Sequence, residues 1–386
     1  MKVLLVHNRY QQKGGEDSVV ESEGKLLAKN GTEVELLETN NDGIVGIRGK
    51  LDAAASVFYS FRGVDLLKEA IRRKRPDVVH VHNWFPTFSP GIFWACKKMK
   101  VPVVHTLHNY RLLCAMASLY RDGQVCEDCI GTAFRTPGVL HGCYRGSRSG
   151  TAAATAGMLI HWKLGTWRKV VDRFIALSEF AKSKLVQGGL PAEKIAVKAN
   201  CLDYDPGMRP GDGGYFLYVG RLTAEKGIPV LLECWKHGPG LPPLHIAGVG
   251  PLENEVRAAS STLTNVKWLG AKSSDEVIEI MGRAKALVCP SLWYEGMPRV
   301  VIEAMAVGTP VIASSIGTYP EMIIPYKTGM LFEVNEPSAL LACLREIDDR
   351  SDYQGWRKQA RNKFLTCYSP EVNLKALRTI YAQVMG

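Results

Sequence analysis

The sequence predicts an α/β chain of two Rossmann-like domains, and three observations carry that expectation. With 386 residues it is long enough for two or three domains. Short apolar runs alternate with helical stretches through both halves, the rhythm of strand-then-helix units. Between the halves lies Asn200–Gly214, rich in Pro, Gly and Asp, which reads as a linker. The expected limits are therefore 1–199 for a first domain with a cysteine-rich insertion near 114–143, 200–214 for the linker, 215–368 for a second domain and 369–386 for a terminal helix.

Composition is ordinary for such a fold, with 46% hydrophobic and 22% charged residues. Lys and Arg number 48 against 38 Asp and Glu, a net charge of +10, which favours an anionic partner such as a nucleotide, a phospholipid surface or a nucleic acid, or else only dresses the surface. The opening MKVLLVHNRY has too short an apolar run for a signal peptide, and no apolar stretch approaches the ~20 residues of a spanning helix. Ala152–Ile160 comes nearest and reads as a small-residue helix. A cytoplasmic location is expected, so the ten cysteines call for a reducing-side explanation rather than disulfides.

In order, Lys2–His7 reads as a buried strand, Gly14-Gly15 as a loop, Asp17–Asn30 as a helix closed by Gly31, and Glu33–Leu37 as the next strand. The spacing is not GxGxxG, so Gly15 is either a point of close backbone approach to a ligand or part of a plain turn. Strands at Val78–Val81 and Val103–Thr106 end in the histidine-rich tips HVHNW and HTLHNYR. Among those histidines His108 is singled out, because it lies past the strand end beside Asn109, Tyr110 and Arg111. The insertion carries Cys114, Cys126, Cys129 and Cys143, with Cys126 and Cys129 in a CxxC; a structural zinc on four thiolates is expected, with a redox pair or free thiols as the alternatives. The other six cysteines read as core residues. A basic run with aromatics, Arg135 to Arg148, reads either as a contact for an anionic membrane or acceptor or as an exposed loop face. Arg173–Ser178 is a strand, Ser178 caps the following helix, and Lys194–Lys198 is the last strand of this half.

The second half opens with the strand Tyr215–Val219 and the loop GRLTAEKG, from which Arg221 and Lys226 are spaced to converge on a diphosphate or simply face solvent. After the strand Leu244–Ala247, small Gly250 permits close approach of a ligand to the backbone. Val266–Gly270 and a helix Ser274–Arg283 lead to a strand at Ala286–Cys289, a loop at Pro290–Pro298, a helix at Arg299–Val307 and a strand at Val311–Ala313. The start of that helix, Gly296, Met297, Pro298 and Arg299, is suited to holding a diphosphate through free N–H groups and the dipole. Glu303 shares a face with Arg299 at a distance suited to ribose hydroxyls, and Glu295 is placed for sugar hydroxyls. Both glutamates read equally well as a solvated helix face and a cap.

Taken together, GRLTAEKG at 220–227, AGVGP at 247–251, EGMPRVVIEAMAVGTPVIAS at 295–314 and the following IGTYPEMI resemble the family-4 retaining glycosyltransferases of the GT-B fold. The LHNYRLLC segment and the cysteine insertion are similar to a subset of bacterial polysaccharide glycosyltransferases. The resemblance implies two Rossmann-like domains facing across a cleft and transfer of a sugar, with retention, from a nucleoside-diphosphate sugar to a glycan, lipid-linked or small-molecule acceptor. It implies that Glu295 contacts donor-sugar hydroxyls and Glu303 the ribose. Arg221 and Lys226 would neutralise the leaving diphosphate, so that no catalytic divalent metal is expected. His108 would lie near the donor's reacting end, and Gly15 would approach donor phosphate or acceptor. Tyr319, Pro320 and Glu321 depart from the family's glycine-rich turn, and Asn200-Cys201 from its Asn-Gly. A related phosphorylase or synthase, and a non-catalytic zinc-containing binder of nucleotide sugars or protein partners, are the alternatives. No nucleic acid partner is expected, since neither a groove-reading helix nor an aromatic RNA motif accompanies the charge. The implied location is the cytoplasm, extending to the inner face of the cell membrane.

Overall fold

The computed structural model describes residues 1–9, 14–42, 46, 49 and 55–386. The chain forms two compact units: Met1–Arg121, Cys126–Asp203 and Asn373–Gly386 make the first, and Asp122–Val125 with Tyr204–Val372 the second.

The first unit is built on strands β1 (Lys2–Arg9), β2 (Glu33–Asn40), β3 (Val78–Asn83), β4 (Val103–Leu107), β7 (Arg173–Ala176) and β8 (Ile195–Val197); between β4 and β7 in the chain come the short β5 (Tyr120–Arg121) and β6 (Gln124–Val125), which lie outside this sheet. All its sheet pairs are parallel, in the order β2-β1-β3-β4-β7-β8. Strands β3 and β4 are buried along their whole length, as expected where helices cover both faces of a parallel sheet. That burial forces their histidines, His80, His82 and His105, into the interior, where each needs a partner. Edge strand β2 instead carries Glu33, Glu35 and Glu38, charges that discourage pairing with another chain.

Among the helices that pass unmarked in the sequence reading are Phe61–Lys74 and Gly91–Lys98 in this unit, and Ile228–His237, Glu253–Thr262, Pro337–Asp348 and Tyr353–Lys363 in the second. Phe61–Lys74 is started by Ser60, whose hydroxyl accepts the Gly63 N–H at 3.0 Å, and it ends in Arg72, Arg73 and Lys74, cations suited to the negative end of its dipole. The terminal helix Pro370–Met385 places Leu374, Leu377, Ile380 and Tyr381 on one stripe, packed with Val3, Leu5, Leu26 and Val78. Burying a leucine of this kind stabilises by roughly 1.5–3 kcal/mol.

The second unit comprises β9 (Phe216–Val219), β10 (Leu244–Ala247), β11 (Val266–Gly270), β12 (Ala286–Cys289), β13 (Val311–Ser314) and β14 (Gly329–Phe332). These pair in parallel in the order β11-β10-β9-β12-β13-β14. Its core gathers Phe216, Leu231, Trp235, Ile246, Val288, Ile312, Leu344 and Trp356. Strand order reverses between β9 and β12 here, and between β1 and β3 in the first unit. In open α/β sheets, ligands bind beyond the carboxyl ends of the strands at such a reversal.

The segment 200–214 is ordered by specific contacts. Cys201 and Leu202 are buried, and Asp203 accepts the Ser22 hydroxyl at 3.2 Å within the first unit. Asp205 accepts from Arg361 Nη1 at 2.6 Å within the second unit. Two sequence expectations are corrected. Cys367 is exposed rather than part of the core. Arg135 is buried and donates to the carbonyls of Leu112 and Leu113, so it braces the insertion instead of joining a basic face. Among the described residues, no helix is long and apolar enough to cross a membrane.

Candidate active site

In the second unit the two loops at the strand reversal are the ones that carry the sequence-predicted charges. The loop after β9 turns at Gly227, whose φ of +77° only glycine adopts freely and whose added Cβ would lie 1.8 Å from the Pro290 carbonyl oxygen. This contact seats the loop bearing Lys226 directly on the loop after β12. There Lys226 Nζ donates to Glu295 Oε1 at 2.6 Å. The same oxygen accepts from Ser291 Oγ at 2.9 Å and Trp293 Nε1 at 2.8 Å. Burial alone would raise the Glu295 carboxyl; the charge and hydrogen bonds of Lys226, with Trp293 and Ser291, outweigh it and hold the group below its usual range. Glu295 is thus an ionised, oriented carboxylate, and among the described residues its Oε2 takes no hydrogen bond.

The helix Arg299–Ala306 starts from Pro298, whose side chain makes no cap, and Gly296 and Met297 lead into it. Arg299 Nε donates to Glu303 Oε1 at 3.0 Å, one turn along. Burial pushes the Glu303 carboxyl up, against the smaller opposing pull of Arg299. Arg221 stands apart: it is exposed, and its guanidinium lies 4.0 Å from Glu225. Gly250 packs against backbone, since a Cβ there would fall 2.5 Å from the Leu222 carbonyl oxygen. Its small size therefore serves the contact between the loops after β9 and β10. The unusual Tyr319-Pro320-Glu321 forms a single helical turn, with Tyr319 buried and its hydroxyl 3.1 Å from Ser291 Oγ. Ser291 and Trp293, which orient Glu295, carry no motif signal and were not singled out from sequence.

In the first unit, Gly14 and Gly15 sit at the start of the helix Gly15–Lys29. Asp17 fixes this start by accepting the Gly14 N–H at 2.7 Å on one oxygen and meeting His7 Nε2 at 2.8 Å with the other. Among the described residues, a Cβ on Gly15 would meet nothing within 4 Å, so packing does not demand glycine there. Beside it Glu16 is pushed up to about 8 by burial and by the Asp17 charge, against the pull of Arg111. His108 leaves the end of β4, and its Nε2 lies 2.9 Å from His82 Nδ1. Burial, then the neighbouring His82, holds the His108 imidazole well below its usual range, and it is neutral. Arg111 stacks over the Phe85 ring at 4.1 Å.

The four insertion cysteines share one neighbourhood: the charges of Cys114, Cys126 and Cys143 all act on Cys129. Burial raises the Cys126 and Cys129 thiols, and backbone hydrogen bonding from Asp128 and Gly138 pulls the other way, toward the thiolates a metal takes. The donor set therefore fits zinc chemically. Its spread is wider than a closed centre, for no three of these sulfurs gather within 4.8 Å. Zinc–sulfur bonds of about 2.3 Å place sulfurs about 3.8 Å apart in a tetrahedral site.

Two parallel Rossmann-like sheets, one carrying a charged pair and a helix start at its strand reversal, define a two-domain α/β architecture with ligand-binding loops at the carboxyl ends of its strands. Residues 13–205 match the family described as Glycosyltransferase Family 4, and residues 206–363 match Glycosyl transferases group 1. The chain belongs to the family-4 glycosyltransferases of the GT-B fold, and it is a glycosyltransferase. An uncharacterised glycosyltransferase of Methanocaldococcus jannaschii is 26% identical over 84% of this chain and 82% of its own length. A putative colanic acid biosynthesis glycosyltransferase of Salmonella typhimurium is 30% identical over 50% of this chain and 52% of its own. Among solved structures, a sucrose-phosphate synthase of Thermosynechococcus elongatus superposes with a TM-score of 0.71 at 18% identity, covering 99% of this chain and 98% of that one. An Anabaena protein, HepE, in complex with UDP and glucose gives 0.67 at 16% identity, over 99% of this chain and all of its own.

Proposed function

We propose that the chain is a retaining glycosyltransferase that moves a sugar from a nucleoside-diphosphate sugar to a glycan, lipid-linked or small-molecule acceptor in polysaccharide biosynthesis. The observation that carries this is the Lys226–Glu295 pair of 2.6 Å, held on the two loops at the strand reversal of the second unit. The relatedness to a colanic acid biosynthesis enzyme supports the polysaccharide setting.

In this reading the start of the helix Arg299–Ala306 receives the donor's diphosphate through its N–H groups and the positive end of its dipole. Arg299 keeps the Glu303 carboxylate turned toward the ribose hydroxyls. Glu295 offers Oε2 to hydroxyls of the donor sugar, while its Oε1 anchors Lys226. As the glycosidic bond to the diphosphate breaks, negative charge grows on the leaving oxygens, and Lys226 with Arg221 stabilises that charge more than the ground state. The acceptor hydroxyl attacks from the face that the diphosphate leaves, and a phosphate oxygen takes its proton. His108 and Gly15 are assigned to substrate at the carboxyl edge of the first unit's sheet.

A thermal-shift screen against UDP-, GDP- and ADP-sugars tests the donor class. At a concentration of 100 Kd the true donor stabilises by about 2.7 kcal/mol, and a midpoint unmoved by every nucleotide sugar contradicts the reading. We also assign a structural zinc to Cys114, Cys126, Cys129 and Cys143, where it would tie the insertion together. Elemental analysis of purified protein is expected to give one zinc per chain, lost on replacing Cys126 and Cys129 by serine, with no dependence of turnover on added divalent metal. Zinc absent from protein grown with the metal supplied would refute the assignment.

A further inference from the structure

Beneath His108 the first unit holds a buried polar chain that the proposed reaction does not use. Glu23, on the helix Gly15–Lys29, is 1% exposed. Its Oε1 lies 3.0 Å from His80 Nδ1 and 3.2 Å from His82 Nε2, and its Oε2 lies 2.9 Å from Lys198 Nζ. His80 also meets Tyr381 OH at 2.8 Å through Nδ1 and Thr106 Oγ1 at 2.7 Å through Nε2. Lys198 donates onward to Asn373 Oδ1 at 2.8 Å. Two members, Tyr381 and Asn373, belong to the terminal helix, so that helix closes the far side of the network.

Glu23, His80 and His82 bring three ligand atoms within 4.8 Å of one another, the spacing of a metal site. A lysine ammonium already neutralises that carboxylate, however, and a second cation beside it would be repelled. The cluster is an ion-pair network, and its consequence is directional. The contact is not an aligned hydrogen bond, but a carboxylate charge 3.2 Å from His82 Nε2 still favours the proton on that nitrogen over Nδ1, which leaves Nδ1 with its lone pair. Nδ1 is the atom 2.9 Å from His108 Nε2, so His108 must carry its own proton on Nε2 and donate it. The Nδ1 of His108 is then a bare acceptor, and among the described residues it takes no hydrogen bond.

We propose that Glu23, acting through His82, fixes the tautomer of His108 so that His108 presents Nδ1 as an acceptor for a substrate hydroxyl. This rests on the assignment of His108 to substrate, and Glu23 and His82 are positioning residues that touch none themselves. Glu23→Gln alone would strand a buried Lys198 charge, so the informative variant is the double replacement Glu23→Gln with Lys198→Met. It is expected to lower kcat by roughly 10–100-fold with donor KM nearly unchanged, the scale seen when groups orienting a functional ligand are lost. His82→Leu, which removes the acceptor, should behave alike. His82→Asn, whose amide oxygen can take the place of Nδ1, should retain most of kcat. Nitrogen-15 spectra of histidine-labelled protein should show His108 protonated at Nε2 in the wild type and as a tautomer mixture in the double variant. Wild-type kcat in both the double variant and His82→Leu, alongside an inactive His108→Ala, would overturn the positioning role and leave the site assignment standing. A fully active His108→Ala would instead remove the assignment on which the proposal rests.

Discussion

Replacing Lys226 by methionine is expected to lower kcat by roughly 10²–10³-fold, the cost of deleting one preorganised donor to a charge that develops in the transition state. Stability should change far less. Glu295 keeps Ser291 and Trp293 as donors, so its carboxylate is not left bare when the ammonium is removed. Arg221→Ala should share the kinetic loss with even less effect on folding, because the Arg221 side chain is half exposed. Steady-state rates with the donor identified by thermal shift, read beside denaturation midpoints, make the comparison. Rates within a few-fold of wild type for Lys226→Met would end the assignment of the second unit's strand reversal to the leaving group.

The second large effect concerns folding. Arg357 is fully buried, and its Nη2 donates to the Arg209 carbonyl at 2.6 Å, with the Val307 and Gly282 carbonyls at 3.3 and 3.4 Å. It ties the helix Tyr353–Lys363 to the segment entering the second unit and to the end of the helix that carries Glu303. Arg357→Ala removes donors from buried carbonyls and opens a cavity, and should destabilise the second unit by about 3–5 kcal/mol. Chemical denaturation followed by tryptophan fluorescence measures it, and a loss under 1 kcal/mol would show that the guanidinium is dispensable. Arg357→Met should fall between, since it refills part of the space and restores none of the hydrogen bonds.

Much of the fold was legible because parallel strands buried on both faces must be apolar throughout. Runs such as FLYV at 216–219 and ALVC at 286–289 admit few other readings. The helices Phe61–Lys74 and Gly91–Lys98 were harder: Ser60 as a cap and the stripe of Val64, Leu67 and Ile71 are present, but a chain rich in charge and glycine around them masks the period. Cys367 misled because a cysteine's burial depends on its neighbours in space. Arg135 misled because a buried arginine looks like any other until its carbonyl partners are known.

For the site, local chemistry announced itself where one short segment supplies both partners. Arg299 and Glu303 are four apart on a helix, so the pair followed from the helical repeat alone. Glu295 and Lys226, 69 residues apart, could be named from motifs but not paired, because the pairing depends on which two loops the strand order brings together. The sequence by itself determined the kinds of element, the helix start suited to phosphate and the residues with chemistry to offer, since these depend on neighbours within a few positions. Only the tertiary structure decided that Lys226 reaches the Glu295 oxygen across the strand reversal, and that Glu23 stands behind His82 and His108. Those contacts join segments distant in the chain, and parallel-sheet topology, which no local pattern encodes, is what makes them adjacent.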